Sequence, residues 1–280
     1  LKSTQALPEF YQGATADYVK VDGKWVDGMA QDNMLTALQN LQDAYTAGLI
    51  DQEAITNTTS ACRDEWYAGT VGCFPYWGGL WGETLTVRLK QNVPDAEVIA
   101  LPPIEGATYL YSAPSVQVIS SKLSDEQVAS VYKYFIEYMH DGGEGQVLFQ
   151  SGVEGVHWQQ SGNNIDPLPT ISKPAEAFRK AWITPWLALT PMTATDKNVE
   201  VSQEATDSLA VVSANAKNIS VFPVSEQRTM ITSDLTTTRE NIISRVAMGQ
   251  LTPEEGMAEY KAQAETLNVA QALEEMNANA

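Results

Sequence analysis

Three aromatic side chains stand next to a glycine pair in a stretch that predicts a platform for a ring-shaped ligand. Tyr76, Trp77 and Trp81 offer wide apolar rings with polar edges. Gly78 and Gly79 permit positive φ or a close approach of the backbone. The chemistry this predicts is binding rather than catalysis. The alternative is that the tryptophans fill a hydrophobic core, since buried Trp is common.

A site for sugar rings also needs polar groups, because the C–H faces of a sugar stack on indole while its hydroxyls require fixed hydrogen-bonding partners. Charged and polar side chains stand near the tryptophans along the chain. We therefore expect the ligand-binding residues to be Trp77, Trp81, Tyr76, Arg63, Glu83, Glu154, His157 and Trp158.

Catalytic motifs are missing from the sequence, and we expect no enzyme. There is no phosphate-binding loop, no zinc-protease helix and no nucleophile elbow. Glu83 and Glu154 could act as a glycosidase pair, but a chain with 35 acidic residues always offers such a pair. We expect no catalytic residue, no metal and no cofactor. Cys62 and Cys73 form either a disulfide or two reduced thiols.

The composition indicates a globular protein with a large excess of acidic residues. The 280 residues are 44% apolar and 19% charged, which allows one large or two ordinary domains. The net charge of −18 argues against nucleic acid and against electrostatic binding to anionic lipid. No apolar run is long enough for a transmembrane helix.

Local signals predict the elements that must position these residues. Aspartate-glycine pairs predict a hairpin over 18–29, and Asp32 and Gly48 delimit the helix that follows. A helix over 61–68 and a buried strand over 71–74 lead into the aromatic turn. Further helices are predicted at 80–91, 124–141, 145–151, from Pro174, at 202–217, from Asp234 to Gly249 and from Thr252, with further strands at 98–101 and 115–119. Ser124 with Gln127 predicts a capping box, and Thr252 with Glu255 predicts the same N-cap and N3 pattern. Strands that alternate with longer helices indicate an α/β protein.

Several separated motifs occur together in a familiar order. These are Gly48-Leu49-Ile50-Asp51, Trp66-Tyr67-Ala68-Gly69-Thr70-Val71-Gly72, the turn with Trp77, Leu101-Pro102-Pro103 with Gly106, Ile119-Ser120-Ser121-Lys122, and Gly152-Val153-Glu154-Gly155-Val156-His157-Trp158. In this order the chain resembles the extracellular solute-binding proteins of ABC transporters. It is most similar to lipoprotein-type sugar-binding proteins of Gram-positive bacteria and more distantly to maltodextrin-binding proteins.

The resemblance implies a helix-rich fold of the type II periplasmic-binding-protein kind, with two lobes and a hinge. Residues 1–98 and 185–280 would form the second lobe, and 99–184 would return to the first lobe, which we expect to be incomplete. Trp77 matches the residue that stacks on sugar in the family, followed by Trp81. The segment around Gln227 and Arg228 matches another contact region but has no aromatic residue there.

The resemblance also implies a function outside the cell. The protein would bind a sugar or oligosaccharide and deliver it to the permease subunits of an ABC transporter. We expect a monomer at the cell surface or in the periplasm, held to the membrane only by a lipid anchor outside this chain. The alternatives are a carbohydrate-active enzyme and an interaction or scaffold lobe that binds no small ligand.

Overall fold

The computed structural model describes residues 8–102, 109–111, 118–168, 202–218 and 221–280. Helices dominate these residues, as expected. In chain order the elements are α1 (Pro8–Tyr11), β1 (Tyr18–Val21), β2 (Lys24–Asp27), α2 (Asn33–Thr46), α3 (Thr59–Ala68), α4 (Leu80–Asn92), β3 (Tyr109–Tyr111), α5 (Asp125–Val131), α6 (Glu144–Ser151), β4 (Trp158–Ser161), β5 (Asn164–Pro167), α7 (Gln203–Asn215), β6 (Ala216–Asn218), α8 (Glu226–Ala247), α9 (Pro253–Thr266) and α10 (Val269–Ala278).

The largest hydrophobic core joins the beginning and the end of the chain. Met34, Leu38 and Leu41 lie on one face of α2 at helical spacing, and all three are fully buried. They share this core with side chains of α8, α9, α10 and the β1–β2 hairpin. We call residues 8–50 together with 221–280 the terminal core unit.

A buried ionic cluster fastens the hairpin to the helices of this unit. Arg239 of α8 donates hydrogen bonds to Asp27 over 2.8 Å and to Asp17 over 3.3 Å. Its Nε donates to the hydroxyl of Tyr260 over 3.2 Å, and that hydroxyl donates to Asp27 over 2.6 Å. Burial raises the pKa of Tyr260 against the opposing effect of the Arg239 charge, so the phenol keeps its proton.

Capping residues explain where the last three helices begin and end. Ser225 caps α8 by accepting a hydrogen bond from the backbone of Arg228, so the predicted start at Asp234 is wrong and Asp234 lies inside the helix. The capping box predicted at Thr252 is confirmed at the start of α9. The single final helix we predicted is divided in two, because Asn268 adopts a left-handed conformation with φ of 59° between α9 and α10.

Three two-stranded ladders make up the β structure of the described residues. The β1–β2 and β4–β5 pairs are antiparallel hairpins, and β3 pairs in parallel with β6. The hairpin predicted over 18–29 is therefore confirmed. The strand predicted over 71–74 is irregular, and no strand of the described residues pairs with this apolar run.

Other strand predictions fail or fall outside the described residues. The segment 98–101 is irregular, and Ile99 and Leu101 are exposed, so the apolar run contributes no buried strand. Of the strand predicted over 115–119, residues 118–119 are irregular and the rest lie outside the described part. The helix predicted from Pro174 also lies outside it.

The remaining helix predictions are confirmed with small shifts in their ends. These helices are α2, α3, α4, α6 and α7. Gly48 and Gly69 adopt positive φ where α2 and α3 end, as expected for glycine after a helix. Ser124 and Gln127 form the predicted capping box of α5, which continues as a π-helical segment over Tyr132–Glu137.

The larger organisation stays a prediction. The two-lobe arrangement, the hinge and the division of the chain at 98 and 185 are untested. None of the described helices is long and apolar enough to cross a membrane. Cys62 and Cys73 are not joined by a disulfide.

Candidate ligand-binding site

The aromatic turn lies between α3 and α4 and is held in place by α7. The backbone N–H of Gly79 donates to the hydroxyl of Ser208 over 3.0 Å. Gly79 has φ of 72°, and a Cβ on Gly78 would stand 2.8 Å from a methyl carbon of Val212. Both glycines are therefore required, one for its conformation and the other for the close approach of α7.

Four aromatic rings form a continuous ladder behind the turn. Trp66 stacks on Phe74 at 5.7 Å between ring centroids, and Phe74 stacks on Tyr76 at 5.0 Å. Tyr76 then meets Trp81 edge to face at 5.0 Å. The indole N–H of Trp66 donates to the backbone carbonyl of Leu85 in α4, over 3.2 Å. The ladder fixes the turn against both helices that flank it.

Trp77 differs from its aromatic neighbours because its ring is open to solvent. It is 60% exposed, whereas Tyr76 and Trp81 are partly buried within the ladder. A large aromatic ring presented to water on a turn that cannot easily move is the feature expected of a stacking platform. The core-filling alternative therefore applies to Trp81 and Tyr76 much more than to Trp77.

Two arginines lie over rings near the turn. The guanidinium of Arg63 stands 5.5 Å from the Trp81 ring centre, and that of Arg88 stands 5.8 Å from Tyr67. The Nε of Arg63 also donates to the backbone carbonyl of Thr59 over 3.2 Å. Burial raises the pKa of Tyr67, while the positive charges of Arg63 and Arg88 act to lower it.

Glu83 lies in the first turn of α4, where a negative charge is favoured by the helix dipole. One of its carboxylate oxygens is buried and has no hydrogen-bond partner in the described residues. Glu154 lies in a different part of the fold, where its backbone forms an isolated parallel β-bridge with that of Trp158. Across the described ranges, no cluster of three His, Cys, Asp or Glu residues is suited to a metal ion.

The residues predicted at 154–158 form a small core of their own. Trp158 is 3% exposed, packs with Val147 and Ile165, and donates its indole N–H to the backbone carbonyl of Gly152 over 2.9 Å. The Nδ1 of His157 accepts the backbone N–H of Val153 over 2.9 Å. In this conformation the Trp158 ring has no face free for stacking.

The structure thus assembles the predicted residues in two groups. Arg63, Tyr76, Trp77, Trp81 and Glu83 lie around α3 and α4, and Glu154, His157 and Trp158 lie beside α6 and β4. The prediction overlooked Tyr67, Arg88 and Ser208. Tyr67 follows Arg63 by four residues on α3, a spacing that places both on one helix face. This four-residue spacing is the sequence signal that could have identified Tyr67, whereas no local sequence feature identifies Ser208.

Comparison with known proteins supplies a fold but no family. No family model and no curated protein matches the sequence. Among solved structures, the chain is similar to the alginate-binding protein AlgQ2 crystallised without calcium ion, with a TM-score of 0.65 and 15% identity. The match covers 98% of this chain and 62% of AlgQ2, so the chain spans less than two thirds of that protein. This chain therefore has a helix-rich fold similar to that of a solute-binding protein.

Proposed function

We propose that this chain binds a sugar or oligosaccharide and that Trp77 is the stacking platform. The observation that carries the proposal is the exposed indole on a turn that the aromatic ladder and α7 hold in place. A rigid ring loses little conformational freedom when a ligand stacks on it, so more of the contact energy appears as affinity. Arg63, which lies over the Trp81 ring, and Glu83, in the first turn of α4, are our candidates for polar contacts with the ligand.

The fold supports the same class of function. The similar structure is that of a protein named for binding alginate, which is a carbohydrate. That protein is named as a binding protein and not as an enzyme, which agrees with the missing catalytic motifs. We extend the proposal to delivery of the solute to an ABC permease, to a site outside the cytoplasm and to a monomer anchored by lipid outside this chain. Ligand would stabilise a closed arrangement by binding it more tightly than an open one.

The test is Trp77→Ala, measured by calorimetric titration against a panel of oligosaccharides. Loss of a central aromatic contact lowers affinity by about tenfold or more. The matched control is Tyr134→Ala, which removes an equally open ring, 70% exposed, on the segment that follows α5. The control is expected to leave affinity unchanged. Both variants are expected to change the free energy of unfolding by only about 0.5 kcal/mol, as surface substitutions do.

Two outcomes would contradict the proposal. If Trp77→Ala lowers stability by several kcal/mol and leaves affinity intact, the ring belongs to a core and the scaffold alternative gains support. If no carbohydrate binds to the chain while peptides or metal ions do, the assignment to sugars is wrong.

A carbohydrate-active enzyme is the second candidate, favoured by Glu83 alone. One of its carboxyl oxygens is buried without a hydrogen-bond partner in the described residues, so that oxygen is left to contact a substrate. Hydrolysis of glycosides needs a second carboxyl group within about 5–10 Å of the first. Turnover of a glycoside that disappears in Glu83→Gln would establish this candidate, and binding without turnover would remove it.

A further inference from the structure

Aromatic rings and arginines alternate along the face formed by α3 and α4. The order is Trp81, Arg63, Tyr67 and Arg88, with guanidinium-to-ring distances of 5.5 Å at Trp81 and 5.8 Å at Tyr67. Arg63 precedes Tyr67 by four residues on α3, a spacing that places the two side chains on one helix face. We call these four residues the aromatic–arginine strip. It begins beside Tyr76 and therefore continues from the turn that presents Trp77.

Neither arginine of the strip has a carboxylate partner in the described residues. Arg63 contacts the carbonyl of Thr59 and the Trp81 ring, and Arg88 contacts the Tyr67 ring. Arg239 and Arg245 of the terminal core unit differ from them, because they pair with Asp27 and Glu259. Arg228 of the same unit lies over the Phe222 ring and has no carboxylate within 4.0 Å in the described residues.

The acidic residues that follow Arg63 do not neutralise it. Asp64 and Glu65 are its neighbours in sequence, but successive residues of a helix point about 100° apart. Glu65 accepts a hydrogen bond from the hydroxyl of Thr70 beyond the end of α3. Asp64 is exposed and forms no ion pair within 4.0 Å in the described part of the chain. The guanidinium groups therefore keep N–H donors for a ligand.

Resting on the proposed function, we infer that the strip binds the carboxylates of an acidic oligosaccharide built from uronate units. A guanidinium group offers a planar fork that matches a carboxylate with two parallel hydrogen bonds. It is also weakly hydrated, so that its transfer from water to a ligand is less costly than for lysine. Alternating rings and cations match a chain in which apolar C–H faces alternate with negative groups.

The experiment compares oligogalacturonate with the same oligomer after methyl esterification of its carboxylates, by calorimetric titration on the full chain. Esterification removes the charge and keeps the rings, so we expect an affinity loss of about tenfold or more.

Arg88→Gln is expected to cause a similar loss for the acid and none for the ester. Arg88→Lys keeps the charge without the fork and is expected to recover only part of the affinity. Affinity for the acid should also fall with salt.

The matched control is Arg245→Gln, which removes an arginine far from the strip in sequence and is expected to leave binding unchanged. Equal affinity for acid and ester, with both reduced by Trp77→Ala, would overturn the strip and leave the proposed function standing. Preference for a sugar phosphate over the uronate would overturn the assignment to carboxylates. Failure of every carbohydrate to bind would overturn the proposed function, and the strip with it. An unchanged melting temperature in Arg88→Gln would exclude a merely structural role.

Discussion

Two regions of this molecule contain helices with an apolar face, but that face is buried in one region and exposed in the other. In the terminal core unit, the apolar face of α2 is sealed: Met34, Leu38 and Leu41 are fully buried. In the segment 118–168, neither α5 nor the π-helical segment that follows it has a buried residue. We call this segment the central segment.

The exposed side chains of the central segment follow a helical spacing. Val131, Tyr134, Phe135 and Tyr138 are 36%, 70%, 45% and 42% exposed. Spacings of three, four and seven residues place them on one face. Phe135 meets Phe149 of α6 edge to face at 5.5 Å, which covers one part of this face only. A helix is therefore buried only when it has an apolar face and another element also packs on that face.

We expect the greatest loss of stability when the buried ionic cluster of the terminal core unit loses a carboxylate. Asp27→Ala leaves Arg239 buried without its nearest carboxylate and removes the acceptor of the Tyr260 hydroxyl. Loss of one partner of a buried pair lowers the free energy of unfolding by about 3–5 kcal/mol. Urea unfolding measures it.

The control for this variant is Asp17→Ala, at the exposed end of the same cluster. The side chain of Asp17 is 44% exposed and lies 3.3 Å from Arg239, so a loss of about 1 kcal/mol or less is expected. Equal losses in the two variants would mean that burial of the pair contributes nothing to its importance.

Two leucines, one buried in the terminal core unit and one exposed in the central segment, allow the same comparison with apolar side chains. Leu38 is fully buried in α2, and Leu148 in α6 is 40% exposed. Leu38→Ala is expected to lower the free energy of unfolding by about 2–5 kcal/mol, because it leaves a cavity in a closed core. Leu148→Ala is expected to cost less than about 1 kcal/mol, and denaturant unfolding of both variants checks the difference. A large loss in Leu148→Ala would show that the central segment is packed more tightly than its exposure indicates.

Predictions from sequence succeeded where the signal is local. The capping box at Thr252 and the left-handed glycine after α2 depend on residues within one turn of each other, and the structure confirms them. The start of α8 was missed although its cap is local, since Ser225 accepts the backbone N–H of Arg228 three residues away. A distant residue adds further support to this helix start. Ser225 donates to the carboxylate of Glu275 over 2.8 Å, and the backbone of Gln227 donates to the same oxygen over 3.0 Å. Nothing near Ser225 in sequence indicates that support.

The candidate site shows the same difference between features with a local sequence signal and features that depend on distant residues. Residue types predicted the aromatic turn and its glycines, and the structure explains both glycines through α7. Exposure of Trp77 and burial of Trp158 have no local signal, because each depends on which distant element packs on the ring. The strand predicted over 71–74 failed for a related reason, since an apolar run becomes a strand only where another strand pairs with it.

The smallest effect concerns a carboxylate at the start of α6. Asp141 accepts backbone hydrogen bonds from Gly143, Gly145 and Gln146 over 2.7, 3.1 and 3.0 Å. Partial burial acts to raise the pKa of Asp141, but these donors outweigh it and lower the pKa below its ordinary value. Asp141→Asn is expected to lower the free energy of unfolding by about 1 kcal/mol at pH 7, as loss of a cap does.

The pH dependence separates this carboxylate from a passive surface charge. Because the pKa is lower in the folded protein, the stabilisation is fully present above the ordinary Asp pKa of about 3.9. It declines as the pH falls below that value and vanishes once the pH has passed below the lowered pKa. The difference in unfolding free energy between the parent and Asp141→Asn should follow this course. The control is Asp95→Asn, at an exposed carboxylate without a hydrogen bond in the described residues, which is expected to leave the free energy of unfolding at pH 7 unchanged. A constant difference for Asp141→Asn down to pH 2 would mean that its charge does not stabilise the start of α6.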